Sequence, residues 1–118
     1  MYQDIKERTF NLGLRVINLS TNFPNTKAGA ILGKQVLRSG TSIGANVEEA
    51  HASYSRNDFI FKMNIALKEA RETHYWLRLM KESQMIKPNR LDDILIESEE
   101  LKKILGAIVS KSLGKDKK

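Results

Sequence analysis

An all-α fold, an antiparallel four-helix bundle running up-down-up-down, is what this sequence predicts, and three observations predict it. Apolar residues recur at alternating spacings of three and four along four long segments, and nowhere alternate with period two. The two prolines, Pro24 and Pro88, each fall where one such segment gives way to another. The connections left between segments are short, so consecutive helices fold back alongside one another.

The first helix is expected over about residues 4–22, with Ile5, Thr9, Leu12, Val16 and Leu19 as its buried stripe, and Asn22, Pro24 and Asn25 end it. The second, about 26–53, carries four internal glycines, Gly29, Gly33, Gly40 and Gly44. Each is worse than alanine in a helix interior by about 1 kcal/mol, so a reason is needed. At about 100° per residue they share an arc of about 60° beside Leu32, Val36, Ile43, Val47 and Ala50. They border the core face and would let a neighbouring backbone approach closely. The alternative is a break at Ser39-Gly40; the apolar stripe keeps its phase across that pair, which favours one continuous helix.

Ser55, with Asp58 three residues on, reads as the N-cap of a third helix over about 56–83, whose core face holds Phe59, Met63, Ala66, Ala70 and Leu77. Pro88 suits the first position of a fourth helix, about 88–112, and Asp92 and Asp93 are expected to favour its positive end. Leu91, Ile94, Leu101, Leu105 and Ile108 form its stripe. Lys111, Lys115, Lys117 and Lys118 crowd the C-terminal end, and 113–118 reads as a frayed tail.

The 118 residues suit one domain, 1–118, large enough for a core without disulfides. The absence of cysteine agrees with a reducing compartment and removes thiol catalysis and thiolate metal ligation. Asp4, Lys6, Glu7 and Arg8 interrupt any apolar run near the N-terminus, and no stretch reaches the roughly 18 apolar residues of a membrane span, so a cytoplasmic protein with no membrane partner is expected. Net charge is +6, from 20 basic and 14 acidic side chains, which favours a polyanionic partner or serves solubility alone.

Chemistry is hard to find. Glu48 and His51 have the Glu-x-x-His spacing of a di-iron half-site, but His74 follows Arg71 where the second carboxylate belongs. His74 sits at the edge of the core face and reads as a hydrogen-bonded structural residue. No serine occupies a Gly-x-Ser-x-Gly elbow, and Gly29-Ala-Ile-Leu-Gly33-Lys34 lacks both the spacing and the preceding strand of a phosphate loop. No enzyme, metal or cofactor is expected.

The third helix has two further faces. Phe61, Ile65, Trp76 and Leu79 form a second apolar group opposite the core stripe, expected to be an intersubunit face; the alternative is that they tuck under loops or against an adjacent helix. Between the two apolar groups run Asn64, Lys68, Arg71, Tyr75 and Arg78. Lys68, Arg71, Tyr75 and Arg78 are the candidate nucleic-acid contacts, able to follow phosphates without reading sequence. The competing picture is a solvated face in which Lys68 and Arg71 pair with Glu69 or Glu72 of their own helix.

The run Arg38-Ser39-Gly40-Thr41-Ser42-Ile43-Gly44-Ala45-Asn46-Val47-Glu48-Glu49-Ala50, with Lys68-Glu69-Ala70-Arg71-Glu72 and Tyr75-Trp76-Leu77, resembles the bacterial four helix bundle proteins associated with intervening sequences of 23S rRNA. The resemblance covers the whole chain. It implies a left-handed bundle similar to the accessory protein of diversity-generating retroelements, a basic homopentamer that engages nucleic acid and a reverse transcriptase. It implies no reaction. The partners to be expected are other copies of the chain, RNA or DNA, and another protein; a non-enzymatic homo-oligomer that binds nucleic acid or serves as a scaffold is the first reading. An adaptor docking a polypeptide through the apolar face of the third helix is the second.

Overall fold

The computed structural model describes residues 2–114, which form four α-helices: α1 (Tyr2–Leu19), α2 (Lys27–His51), α3 (Arg56–Glu82) and α4 (Pro88–Ser112). Local chemistry sets their starts. Thr26 is extended and its hydroxyl accepts from the Gly29 amide at 3.0 Å, and Ser55 does the same for Asp58 at 3.1 Å. Pro88 opens α4, where its missing N–H leaves nothing unsatisfied.

The first helix ends earlier than its periodicity suggests. Ser20–Asn22 tighten into a 3-10 turn, closed by the Phe23 amide donating to the Ser20 carbonyl at 3.1 Å. Pro24 is the cause, since the residue before a proline is driven out of helical space, and Phe23 is extended at φ −70°, ψ 131°. The aspartates of α4 also differ from expectation. Neither lies in its first turn; Asp92 instead meets Lys81 of α3 at 3.0 Å. The tail expected over 113–118 lies outside the described residues from Lys115 onward, with Leu113 and Gly114 closing α4.

Cross-contacts fix the directions of the helices. Lys6 meets Glu48 at 3.7 Å near the start of α1, whereas Val16, further along, packs on Gly40, so α2 descends as α1 rises. Likewise Lys62 meets Glu49, and Thr73 meets Ser39 further down α2. His74 pairs with Ser98 and Lys81 with Asp92, turning α4 against α3. Each helix packs on the next and α4 returns to α1, the up-down-up-down square.

α2 is unbroken through Ser39 and Gly40. Its glycines face α1 and the connection that follows it. A Cβ on Gly40 would stand 2.8 Å from a Val16 methyl, and one on Gly44 would stand 3.2 Å from the Thr9 carbonyl oxygen. One on Gly33 would meet the Phe23 ring at 2.5 Å, and one on Gly29 would run into the Pro24 carbonyl. The missing side chains are what lets α1 lie this close.

Leu12, Val16, Val36, Ile43, Met63, Leu77, Leu91, Leu101 and Leu105 are wholly buried between the four helices. Each such side chain contributes about 1.5–3 kcal/mol of transfer free energy. Phe59 and Leu32, expected in the core stripes, pack against this cluster only partly buried. Four polar side chains, Thr9, Ser39, Thr73 and Ser98, are also sealed in, each with a hydrogen-bond partner.

Candidate nucleic-acid interface

The basic row on α3 is built by the helix itself. Lys68, Arg71, Tyr75 and Arg78 lie three, four and three residues apart, spanning about 15 Å of axis at the standard rise, and all four are exposed. What decides their electrostatics is a residue on the neighbouring helix. Arg38 of α2 reaches across the seam, donating through Nη1 to Glu69 Oε1 at 3.1 Å and through Nη2 to Glu72 Oε1 at 2.5 Å. Gln35 Oε1 accepts from the same guanidinium at 3.3 Å. The hydrogen bond to Glu72 is the largest influence holding Arg38 above the ordinary arginine range.

Glu69 and Glu72 were the carboxylates that Lys68 and Arg71 could have used on their own helix. With both turned to Arg38, Lys68, Arg71 and Arg78 make no ion pair with a carboxylate among the described residues. Sequence reasoning missed Arg38 as a partner because its acids are 31 and 34 residues away.

The expected apolar group on α3 divides. Phe61 is 60% exposed and Leu79, about five turns further along α3, is also exposed, but Ile65 is half-buried and Trp76 packs against the core. Trp76 Nε1 is buried without a hydrogen-bond partner among the described residues, and its ring meets Tyr75 edge-on at 5.2 Å. The reading in which these residues pack against an adjacent helix therefore holds for Trp76 and not for Phe61. An exposed apolar row that the sequence reading does not name lies on α1. Phe10, Leu14 and Ile17 on α1 are 62%, 47% and 49% exposed and edge a groove of about 280 Å³ floored by Gly13, Thr41, Gly44 and Ala45. Their four-and-three spacing was its signal.

His74 ties α3 to α4: Nδ1 is 3.0 Å from Ser98 Oγ and Nε2 is 3.2 Å from Glu99 Oε1. The three side chains have the composition of a Ser-His-Glu triad, but Ser98 is wholly buried and donates to the Leu95 carbonyl, so its oxygen meets no substrate. Burial, with Lys102 and Arg78 nearby, holds His74 below the ordinary imidazole range against the opposing pull of Glu99. At the other candidate pair, Glu48 turns to Lys6, and His51 Nδ1 lies 2.9 Å from its own Val47 carbonyl. No three His, Asp or Glu side chains among the described residues are grouped to hold a metal ion. No helix there is long and apolar enough to cross a membrane.

A family model described as 23S rRNA-intervening sequence protein matches residues 2–107. The chain belongs to that family. Among solved structures, this 23S rRNA-intervening sequence family member is similar to a protein of unknown function from the S23 ribosomal protein family of Bacteroides thetaiotaomicron VPI-5482. The two are 43% identical, with a TM-score of 0.82 over 89% of this chain and 97% of the other. No curated protein matches the chain. The family so identified carries a fold and no established activity, and the motif residues that signalled it, Arg38 to Ala50 and Lys68 to Leu77, include Arg38, Ser39, Glu69, Glu72 and Thr73 of the α2–α3 seam and Gly40 and Gly44 against α1.

Proposed function

We propose that this protein is a non-enzymatic, homo-oligomeric nucleic-acid-binding scaffold of the cytoplasm. One observation carries the reading: Arg38 occupies Glu69 and Glu72, and Lys68, Arg71 and Arg78 are left as an uncompensated basic row on a rigid helix. Such a row is attracted to phosphates wherever they pass, and Tyr75, 51% exposed within it, offers a ring face for a base. The name of the family ties its members to an rRNA insertion, which makes RNA the first nucleic acid to test. Assembly is supported by the exposed apolar row Phe10, Leu14 and Ile17 on α1 and by the exposed Phe61 and Leu79 on α3. Unlike patches of this kind suit a heterologous contact that repeats until a ring closes, of five subunits if the likeness to the retroelement accessory protein extends to assembly.

The test is binding of fluorescent RNA and DNA oligonucleotides across a salt series. The parent should bind both with little sequence preference, and replacing Lys68, Arg71 and Arg78 by glutamine should lower the slope of log affinity against log salt by about 2–3. Equal binding by parent and triple variant at low salt would make the row an ordinary solvated face. Partner capture insensitive to salt would instead favour the adaptor that docks another polypeptide through Phe61 and its apolar neighbours.

A further inference from the structure

The contact between α1 and α4 is the thinnest of the four that close the bundle, and its two ends are electrostatically opposite. At one end Arg8 of α1 donates to Glu97 at 2.8 Å and to Glu100 at 2.7 Å, a guanidinium held between two carboxylates of α4. Two turns further along α1, Arg15 shares an open pocket of about 350 Å³ with Arg90, which projects from the first turn of α4. No carboxylate among the described residues lines it. Neither arginine makes an ion pair among the described residues, and Asp93, three residues beyond Arg90, does not reach it. Two arginines thus line one pocket where the same seam elsewhere supplies acids.

The rest of the lining suits an anion. Asn18 and Asn22 add amide donors from α1 and the turn after it. Lys87, the N-cap of α4, contributes no side-chain hydrogen bond, so the partial positive charge of that helix end stays unanswered by a cap. Guanidinium forks match tetrahedral oxyanions with paired N–H donors, and phosphate carries enough charge to satisfy two of them. The open mouth leaves room for whatever the phosphate is attached to.

We propose that the Arg15–Arg90 pocket is a phosphate-binding site, separate from the basic row of α3, because α1 and α4 meet on a different seam of the bundle. The phosphate stands between the arginines as Glu97 and Glu100 stand around Arg8. The source is either a free phosphate or monoester, or the phosphodiester backbone of a nucleic acid.

Thermal unfolding and amide NMR with inorganic phosphate, at constant ionic strength set by chloride, test it. Phosphate should raise the melting temperature of the parent and shift the Asn18 and Asn22 side-chain amides saturably, while chloride does neither. Arg15→Gln and Arg90→Gln should each weaken the response about tenfold or more while keeping the helical spectrum. The Lys68, Arg71 and Arg78 triple variant should respond like the parent, which keeps this site distinguishable from the α3 row. A 5′-mononucleotide acting like inorganic phosphate would assign a free phosphate or monoester; a response confined to oligonucleotides without terminal phosphate would assign a backbone. If no phosphate species shifts the parent more than chloride does, or if both arginine variants respond as the parent does, the site is refuted.

Discussion

The hydroxyl oxygens of Ser39 and Thr73 lie 2.9 Å apart at the centre of the α2–α3 seam, both sealed from solvent. Thr73 is also 2.8 Å from the Glu69 carbonyl, so it retains a partner if Ser39 is lost, while Ser39 depends on Thr73. Thr73→Val should therefore destabilise by about 1–3 kcal/mol, leaving a buried Ser39 hydroxyl without that partner, and adding Ser39→Ala should recover much of the loss. A double-mutant cycle from urea denaturation measures this coupling, and simple additivity would show that the bond contributes nothing.

Two glycines at comparable depth in their helices should respond in opposite senses. Gly44 has the Thr9 backbone 3.2 Å from the place of a Cβ, so Gly44→Leu should overpack the α1–α2 contact and destabilise by about 1–3 kcal/mol or more. Gly106 in α4 has nothing within 4 Å of that place, so Gly106→Ala should stabilise by up to about 1 kcal/mol through helix propensity alone. Paired thermal melts decide both; a Gly44→Leu protein melting like its parent would end the close-approach account.

His74 should impose a pH dependence on stability. Because burial first, and Lys102 next, hold it below the ordinary imidazole range, the unfolded chain takes up a proton at a pH where the folded protein does not. Stability is therefore full above that range, declines as pH falls through it, and levels once the folded imidazole is protonated as well. Urea midpoints of the parent and of His74→Gln between about pH 8 and pH 5 should differ in slope, the variant being flatter.

Assembly is best tested away from Trp76. That ring packs against the core, so Trp76→Glu would unfold the helix pair as well as break an interface. Phe61→Glu and Leu14→Glu change exposed apolar side chains on α3 and α1. Each should lower the sedimentation coefficient to that of a monomer while leaving the circular dichroism of the parent, if unlike faces meet. A parent that is monomeric at tens of micromolar would remove the ring.

Where the chain announces its structure, the signals are local. Thr26, Ser55 and Pro88 mark helix starts within a turn of themselves, and one apolar stripe per helix follows from a 3.6-residue period. Even the glycine arc pointed to a close neighbour, though not that Val16, Thr9, Phe23 and Pro24 would be what it meets. What stayed hidden depends on how one helix is rotated against another. Arg38 taking both Glu69 and Glu72, and Arg15 and Arg90 lining one pocket, bring together residues far apart in sequence, and no spacing within either helix foretells them. A second apolar row such as Phe10, Leu14 and Ile17 is legible as a pattern, but whether a neighbour covers it depends on the packing of α2 and α4.

Arg8 joins residues 89 and 92 positions away, so bringing the first helix against the last closes a loop of nearly the whole chain. The α2–α3 hairpin encloses a far shorter loop, and closing a short loop sacrifices less chain entropy. The hairpin is accordingly the expected nucleus of folding, and the Arg8 clamp a latch that engages after the rate-limiting step. Replacing Arg8 with methionine should then leave the refolding rate nearly unchanged and accelerate unfolding, so that the guanidinium governs how long the folded chain persists more than how quickly it forms.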